Sequence, residues 1–318
     1  MTNKVPETQH AYVFTQYGGT ENQEHRDIAV PDPGSSELLV RVHAAGVNPV
    51  DWKVREGYLR PDLDPPLPVP LGREVSGVVV AVGRDVDGFA EGDEVFGNVA
   101  PVAGGWAEYA LLTAAESAAK PPAVSWEDAA TLSVAACTAR DALVQLGLEA
   151  GQVLLVNGIA GGVGVVAAQF ARDQGLTVIG TASADDKALA ESLGAVHVTY
   201  GEGVVDRIRE MFPQGVDGVL DLAGGEGLRS VTPLVSSPRS IVTTADPDTA
   251  AEIGAAVVER DPSTTVLAGV AAMLADGTFS PMVTAATVTT MMETSGAGTT
   301  VVILGSSTMM ATPTATIG

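Results

Sequence analysis

Two stretches of the chain carry residues whose types and spacing could do chemistry. The first, GVNPVDWKVREG (46–57), gathers Asn48, Asp51, Lys53, Arg55 and Glu56 directly behind an apolar run. Asn-Pro initiates turns, because proline fixes its own φ and pushes the preceding residue out of the helical region. A polar cluster at a strand end is also where a rigid scaffold displays working groups, so Asn48 has two open readings. Asp51 reads as a cap for a helix beginning near Trp52. Lys53 is either a solvated lysine on a helix face or an ammonium in a cleft. There it would polarise a carbonyl or deliver a proton, its pKa lowered by burial or by Arg55 and Arg73. Arg73, in LGREVSG, reads equally as a ligand for a carbonyl or phosphate and as an ion-pair partner of Glu74.

The second stretch is NGIAGGVG (157–164), between the apolar run VLLV and an Ala-rich segment. A chain that turns tightly, approaches a pyrophosphate and presents unpaired amides at a helix N-terminus needs glycine at Gly161, Gly162 and Gly164. A flexible loop would also be glycine-rich. The position after a buried strand and before a helix favours dinucleotide binding. NAD enzymes usually place Asp or Glu at the end of the following strand, on the ribose 2′-hydroxyl. Here that strand ends Gly180-Thr181-Ala182-Ser183, with Lys187 in the next helix and no carboxylate at the strand end itself. A hydroxyl and an ammonium suit a phosphate. Ser183 also reads as a helix cap, and Asp185 and Asp186 count against a phosphate. The balance favours NADPH.

The elements that must position these residues follow two patterns. Up to about residue 125 the chain reads as short strands separated by Gly and Pro turns. ELLVRVHAAGV (37–47) sets Val40, Val42 and Ala44 on one face, and VSGVVVAVG, GDEVFG and AEYALL follow. This suggests a largely antiparallel, barrel-like unit, with the proline-dense 61–70 as a loop. From about 126 strands alternate with helices. SWEDAATL opens a helix with Ser125 as N-cap and Asp128 three residues on. VLLV, TVIGTA, VHVTY, GVLDLAG and SIVTTA are the strands of a doubly wound parallel sheet. Farther on, 266–277 reads as a helix and TTVVILG (299–305) as a strand.

Composition excludes several classes. The 318 residues are 46% hydrophobic and 18% charged, which argues for a folded chain of about two domains. A net charge of −22 opposes nucleic acid and anionic membranes alike. No apolar run approaches a bilayer span, and MTNKVPETQH lacks a signal-peptide stretch, so cytoplasm is the default expectation. Cys137, the single cysteine, permits no intrachain disulfide and reads as a small buried residue. The four histidines (His10, His25, His43 and His197) show no metal-ligand spacing.

The order GVNPVDWKVREG, LGREVSGVVVAVG, GDEVFG, GGWAEYALL, LSVAACTARDAL, NGIAGGVG and VIGTASADDKALAESLGA resembles the zinc-independent quinone oxidoreductases, from about residue 10 to about 245. These form the zeta-crystallin-like branch of the medium-chain dehydrogenase/reductase superfamily. The resemblance implies a GroES-like β-barrel catalytic domain over 1–124, a Rossmann domain over 125–278, and a return to the catalytic domain over 279–318. It implies NADPH-dependent reduction of a quinone or an α,β-unsaturated carbonyl, and a homodimer, since members often pair. Carried over residue by residue, it puts cofactor contacts at Asn48, Thr138, Gly158, Ala160, Gly161, Gly162, Val163, Gly164, Ser183, Lys187, Tyr200, Ala223 and Thr243. It puts catalysis at Asn48, Lys53 and Arg73.

Zinc-dependent relatives have Cys where Asn48 stands, His where Arg73 stands, and a third ligand near Val134; none of these three side chains suits zinc, so no metal is expected. Lys53 stands where many members have Tyr, Thr243-Thr244 replaces a glycine after the fifth Rossmann strand, Gly298-Thr299 replaces the usual Gly-Lys, and 280–298 lacks an expected charged helix. These departures sit at the cofactor and substrate edges. They leave a tailoring enzyme of cyclase or dehydratase type, or a non-enzymatic nucleotide-binding protein, as alternatives.

Overall fold

The computed structural model describes residues 5–60, 63–286 and 299–303. They divide into two compact units: one reaches Thr131 and includes 284–286 and 300–303, the other runs from Leu132 to Val283 with Thr299.

In the first unit, Glu37–Val47 pairs antiparallel with Glu74–Val82, which pairs with Glu94–Val99, which pairs with Tyr109–Ala119. Tyr109–Ala119 returns to Glu37–Val47, so the sheet closes on itself and has no free edge along that circuit. The residues that alternate inward along Glu37–Val47 fill this barrel: Leu38, Val40 and Val42 meet Val75, Val95 and Leu112 in one buried cluster. The strand Thr299–Ile303 lies antiparallel along the same element, Thr300 opposite Val47 and Ile303 opposite Ala44. The rest of TTVVILG and the segment 287–298 lie outside the described residues. Thr8–Phe14, Gln23–Ala29 and the short Val69–Pro70 make a second sheet of three strands.

The second unit is a six-stranded sheet, all parallel. In spatial order its strands are Val196–Thr199, Thr177–Ala182, Val153–Asn157, Gly218–Asp221, Ile241–Thr243 and Ala256–Val257. The sheet is sandwiched by helices, so its strands are apolar on both faces, as Leu154, Leu155 and Val156 are. Ser125 caps the helix Trp126–Ala129 by accepting from the Asp128 amide at 3.0 Å. Among the described residues no helix is long and apolar enough to cross a membrane.

The polar stretch behind Glu37–Val47 becomes the helix Pro49–Arg55. It starts one turn earlier than the sequence suggests, because proline at the first helical position is preset for the helix and its missing N–H costs nothing there. Asp51 reaches back: its Oδ2 accepts the Asn48 amide at 2.7 Å. Its other oxygen, Oδ1, is sealed from water with no hydrogen bond of normal geometry. Burial therefore raises the Asp51 pKa from 3.8 to about 7, against the Asn48 hydrogen bond and the nearby Arg73, which lower it. A carboxyl raised in this way favours folding while protonated. Its contribution is full below about pH 4 and is lost as pH rises through about 7. Urea unfolding of the wild type and Asp51→Asn should thus diverge with pH. The wild type should lose up to about 1.4 kcal/mol per pH unit relative to the variant across that window and run parallel above it. A pH-independent difference would show that Asp51 is an ordinary carboxylate.

Candidate functional site

The C-terminal ends of the parallel strands form the walls of an open cleft of ≈ 920 Å³. After Val153–Asn157 the chain turns at Gly158, whose φ of +98° lies in the left-handed region that a side chain disfavours. Gly161 then caps the helix Gly162–Asp173. A Cβ on Gly164 would stand 2.6 Å from the carbonyl oxygens of both Gly158 and Ile159, so only glycine lets the helix start this close to the strand. A Cβ on Gly161 would meet nothing nearer than the Gly158 oxygen at 3.8 Å and would project into open space. The loop therefore brings bare backbone and the unpaired amides of a helix N-terminus to the cleft. A dinucleotide pyrophosphate fits that combination of positive dipole and absent side chains.

Of the residues singled out in the sequence, Gly158, Ala160, Gly161, Ser183, Tyr200 and Ala223 line this one cleft. Gly162, Val163 and Gly164 form the first turn of its helix. Tyr200 stands 61% exposed at the rim, on a turn that Arg207 clamps by donating to the carbonyls of Thr199 at 2.7 Å and Glu202 at 2.8 Å. Thr138 and Thr243 do not face the cleft. Thr138 is buried and donates to the Val134 carbonyl at 2.5 Å, four residues back in the wide π-turn Leu132–Ala136. Thr243 is fully buried and donates to Asp221 at 2.7 Å.

The phosphate-binding expectation at the end of Thr177–Ala182 meets a correction. Ser183 donates its hydroxyl to Asp186 at 2.6 Å, and the Asp186 amide returns a bond to Ser183 Oγ at 3.2 Å. A carboxylate thus folds back onto the strand end, although the linear sequence places it three residues beyond. Lys187 points elsewhere, its Nζ 3.7 Å from Glu191 in a solvent-exposed pair. Asp186, Glu202, Asp206 and Glu226 line the cleft, and none of its described lining residues is Lys or Arg.

In the barrel unit, Asn48 donates through Nδ2 to Glu74 at 2.7 Å, and Glu74 is wholly buried. Gly46 makes the space: a side chain there would strike the Glu74 carboxylate and the Ala130 carbonyl. Arg73 turns away from both readings given to it by sequence. Its guanidinium donates to the carbonyls of Val99 at 2.7 Å, Ala103 at 2.9 Å and Ala100 at 3.3 Å, holding that loop together. Burial lowers its pKa from the ordinary arginine value. Lys53 is half-buried on Pro49–Arg55, with Nζ 5.9 Å from the ring centre of the partly exposed Trp52. Trp52 in turn meets Tyr58 edge-on at 5.7 Å. Among the described residues no group of three or more His, Cys, Asp and Glu is arranged to hold a metal ion.

Asp221 and Asn157 escaped the sequence reading; a polar residue ending each of several apolar strands is the available signal for both. Asp186 already counts against a phosphate in the sequence, and the Ser-x-x-Asp spacing is the signal for its bond to Ser183.

Comparison with known proteins agrees with this architecture. Residues 34–122 match the family model of the alcohol dehydrogenase GroES-like domain, and 162–245 match the model named zinc-binding dehydrogenase. The chain is 33% identical over 227 residues to the quinone oxidoreductase of Sus scrofa, covering 70% of this chain and 68% of that protein. It is 39% identical over 197 residues to the chloroplastic quinone-oxidoreductase homolog of Spinacia oleracea, spanning 60% of the spinach protein. The solved quinone oxidoreductase of Pseudomonas syringae pv. Tomato DC3000 superposes with a TM-score of 0.82 at 27% identity, over 93% of this chain and 100% of that one. With its GroES-like barrel and its Rossmann sheet, the chain belongs to the quinone oxidoreductase branch of the medium-chain dehydrogenase/reductase superfamily.

Proposed function

We propose that this protein is an NADPH-dependent, zinc-independent reductase of a quinone or an α,β-unsaturated carbonyl. The observation that carries the reading is the glycine turn of Gly158–Gly164 over an open cleft, in a chain whose positions 48, 73 and 134 offer Asn, Arg and Val in place of zinc ligands. When bound, the dinucleotide supplies the hydride. The glycine loop and the first turn of Gly162–Asp173 hold its pyrophosphate, and Ala223 lies along the same wall. Asn48 is the residue we assign to the acceptor's oxygen: Glu74 engages one side of its amide and fixes its orientation, which serves electrostatic stabilisation better than a mobile donor would. Lys53 delivers the proton that balances the hydride. Arg73 acts by holding the 99–103 loop rather than by touching substrate.

Loss of reduced-nicotinamide absorbance, followed with NADPH against a panel of quinones and enones, tests the reading. Turnover with at least one acceptor is expected. Tight binding without turnover would point instead to a tailoring enzyme or a binding protein. Failure to bind either reduced dinucleotide would remove the cofactor assignment altogether. Lys53→Met should lower kcat by ~100-fold while leaving NADPH affinity unchanged, the size expected for losing a positioned proton donor. An unaltered kcat removes Lys53 from the mechanism.

The NADPH preference is argued from Ser183 and Tyr200 at the cleft, and Asp186 opposes it by occupying the Ser183 hydroxyl with a negative charge. Asp186→Asn should therefore tighten NADPH about tenfold relative to NADH, as read by titrating both. An unchanged ratio would mean that the 2′-phosphate lies away from Ser183.

A further inference from the structure

Four polar side chains lie in one row across the parallel sheet. The register sets Thr181 opposite Asn157, Asn157 opposite Asp221, and Asp221 opposite Thr243. All four are buried, Asp221 and Thr243 completely. They are joined end to end: Thr243 donates to Asp221 at 2.7 Å, Asn157 Nδ2 donates to Asp221 at 2.8 Å, and Thr181 donates to Asn157 Oδ1 at 2.7 Å. Loop amides bond to the row. The Gly158 amide donates to both Thr181 Oγ1 at 3.0 Å and the Thr181 carbonyl at 3.2 Å, the amides of Gly224 and Ala223 donate to Asp221 at 3.1 and 3.3 Å, and the Ala245 amide donates to Thr243 Oγ1 at 3.1 Å.

A carboxylate buried this deeply is costly unless its lone pairs are satisfied. Those of Asp221 are, by two side chains and two backbone amides, with no cation among them. A plain apolar strand end would have sealed the core without that burden. What the polar row adds is control of two loops. Gly158 opens the glycine turn, and Gly224 and Gly225, with φ of +67° and +48°, turn the chain over the strand end into the helix Gly225–Val231. Gly158, Ala223 and Gly227 all line the cleft.

We propose that Asp221 is a positioning residue. Through Asn157 and Thr181 it fixes the Gly158 turn, and through the Ala223 and Gly224 amides it fixes the facing loop, so that one hydrogen-bonded chain sets the width of the dinucleotide cleft. The inference rests on the dinucleotide reading for its consequence but not for its geometry, and its test separates the two.

Thr181→Val removes the hydroxyl that links Asn157 to Gly158 without changing the side chain's shape, and Thr181→Ser keeps the link. Asp221→Asn gives up one acceptor, leaving at least one of four donors unmatched. Residue-resolved hydrogen exchange on the protein without dinucleotide should show Gly158 exchanging severalfold faster in Thr181→Val, where only the Thr181 carbonyl still accepts its amide. The Ala223 and Gly224 amides should do the same in Asp221→Asn. Amides at the opposite ends of the strands should keep their wild-type rates, and Thr181→Ser should restore Gly158. With NADPH and NADH as probes, Kd should rise about tenfold in Thr181→Val while kcat at saturation stays within about threefold. If exchange quickens as stated but neither probe binds even the wild type, the positioning role stands and the cofactor reading falls. Wild-type exchange at Gly158, Ala223 and Gly224 in folded variants overturns the proposal. So does acceleration spread evenly through the sheet, which would make the row a general stabiliser.

Discussion

The ends of parallel strands expose polar backbone just where a doubly wound sheet places its ligand, and here a sealed carboxylate organises that edge. Asp221 accepts from both neighbouring strands and from the loop that leaves its own strand. The bonds are short and mutually oriented in a medium of low dielectric, where each is worth more than at the surface and an unmet partner costs more. The rest of the cleft follows from that anchoring. The glycine turn can approach closely because Gly164 has no Cβ to strike Gly158 and Ile159, and the helix behind it is free to direct its first amides outward.

The barrel unit solves a similar problem with different residues. Glu74 is buried without exposure and accepts from the Asn48 amide; Gly46 leaves the room for it. Arg73, next in the chain to Glu74, spends its guanidinium on the carbonyls of Val99, Ala100 and Ala103. Asp51 beneath Asn48 pays part of the cost, since one of its oxygens is left sealed and unmatched. Such local expense is characteristic of sites where geometry matters more than stability.

Much of this was legible in the residues. The order of strand, glycine turn and helix follows from VLLV-NGIAGGVG because glycine spacing and apolar runs are local signals, and a largely antiparallel, barrel-like unit follows from alternation and turn residues, its closure resting on the long-range pairing of Tyr109–Ala119 with Glu37–Val47. The helix at Pro49 was legible in kind though not in start. What escaped depends on distance in sequence or on rotamer. Asn157, Thr181, Asp221 and Thr243 are spread over 87 positions of chain counted inclusively, and only the sheet register sets them in one row. Asp186 counts against a phosphate in the sequence, but its hold on the Ser183 hydroxyl appears only in the folded turn. Arg73 looks like a substrate ligand in LGREVSG until the loop 99–103 is seen to bring three carbonyls to it.

The central claim is that the turn from Gly158 to Gly164 receives the pyrophosphate of a nicotinamide dinucleotide. The most direct measurement is a backbone-amide NMR titration of the full chain with NADPH, watching Gly158, Gly161 and Gly162. The account predicts large shifts at these amides that saturate on one isotherm, together with the smaller shifts at Ala223 and Tyr200 that the shared cleft requires. Unmoved glycine amides at saturating NADPH, or shifts confined to residues outside that cleft, would contradict it.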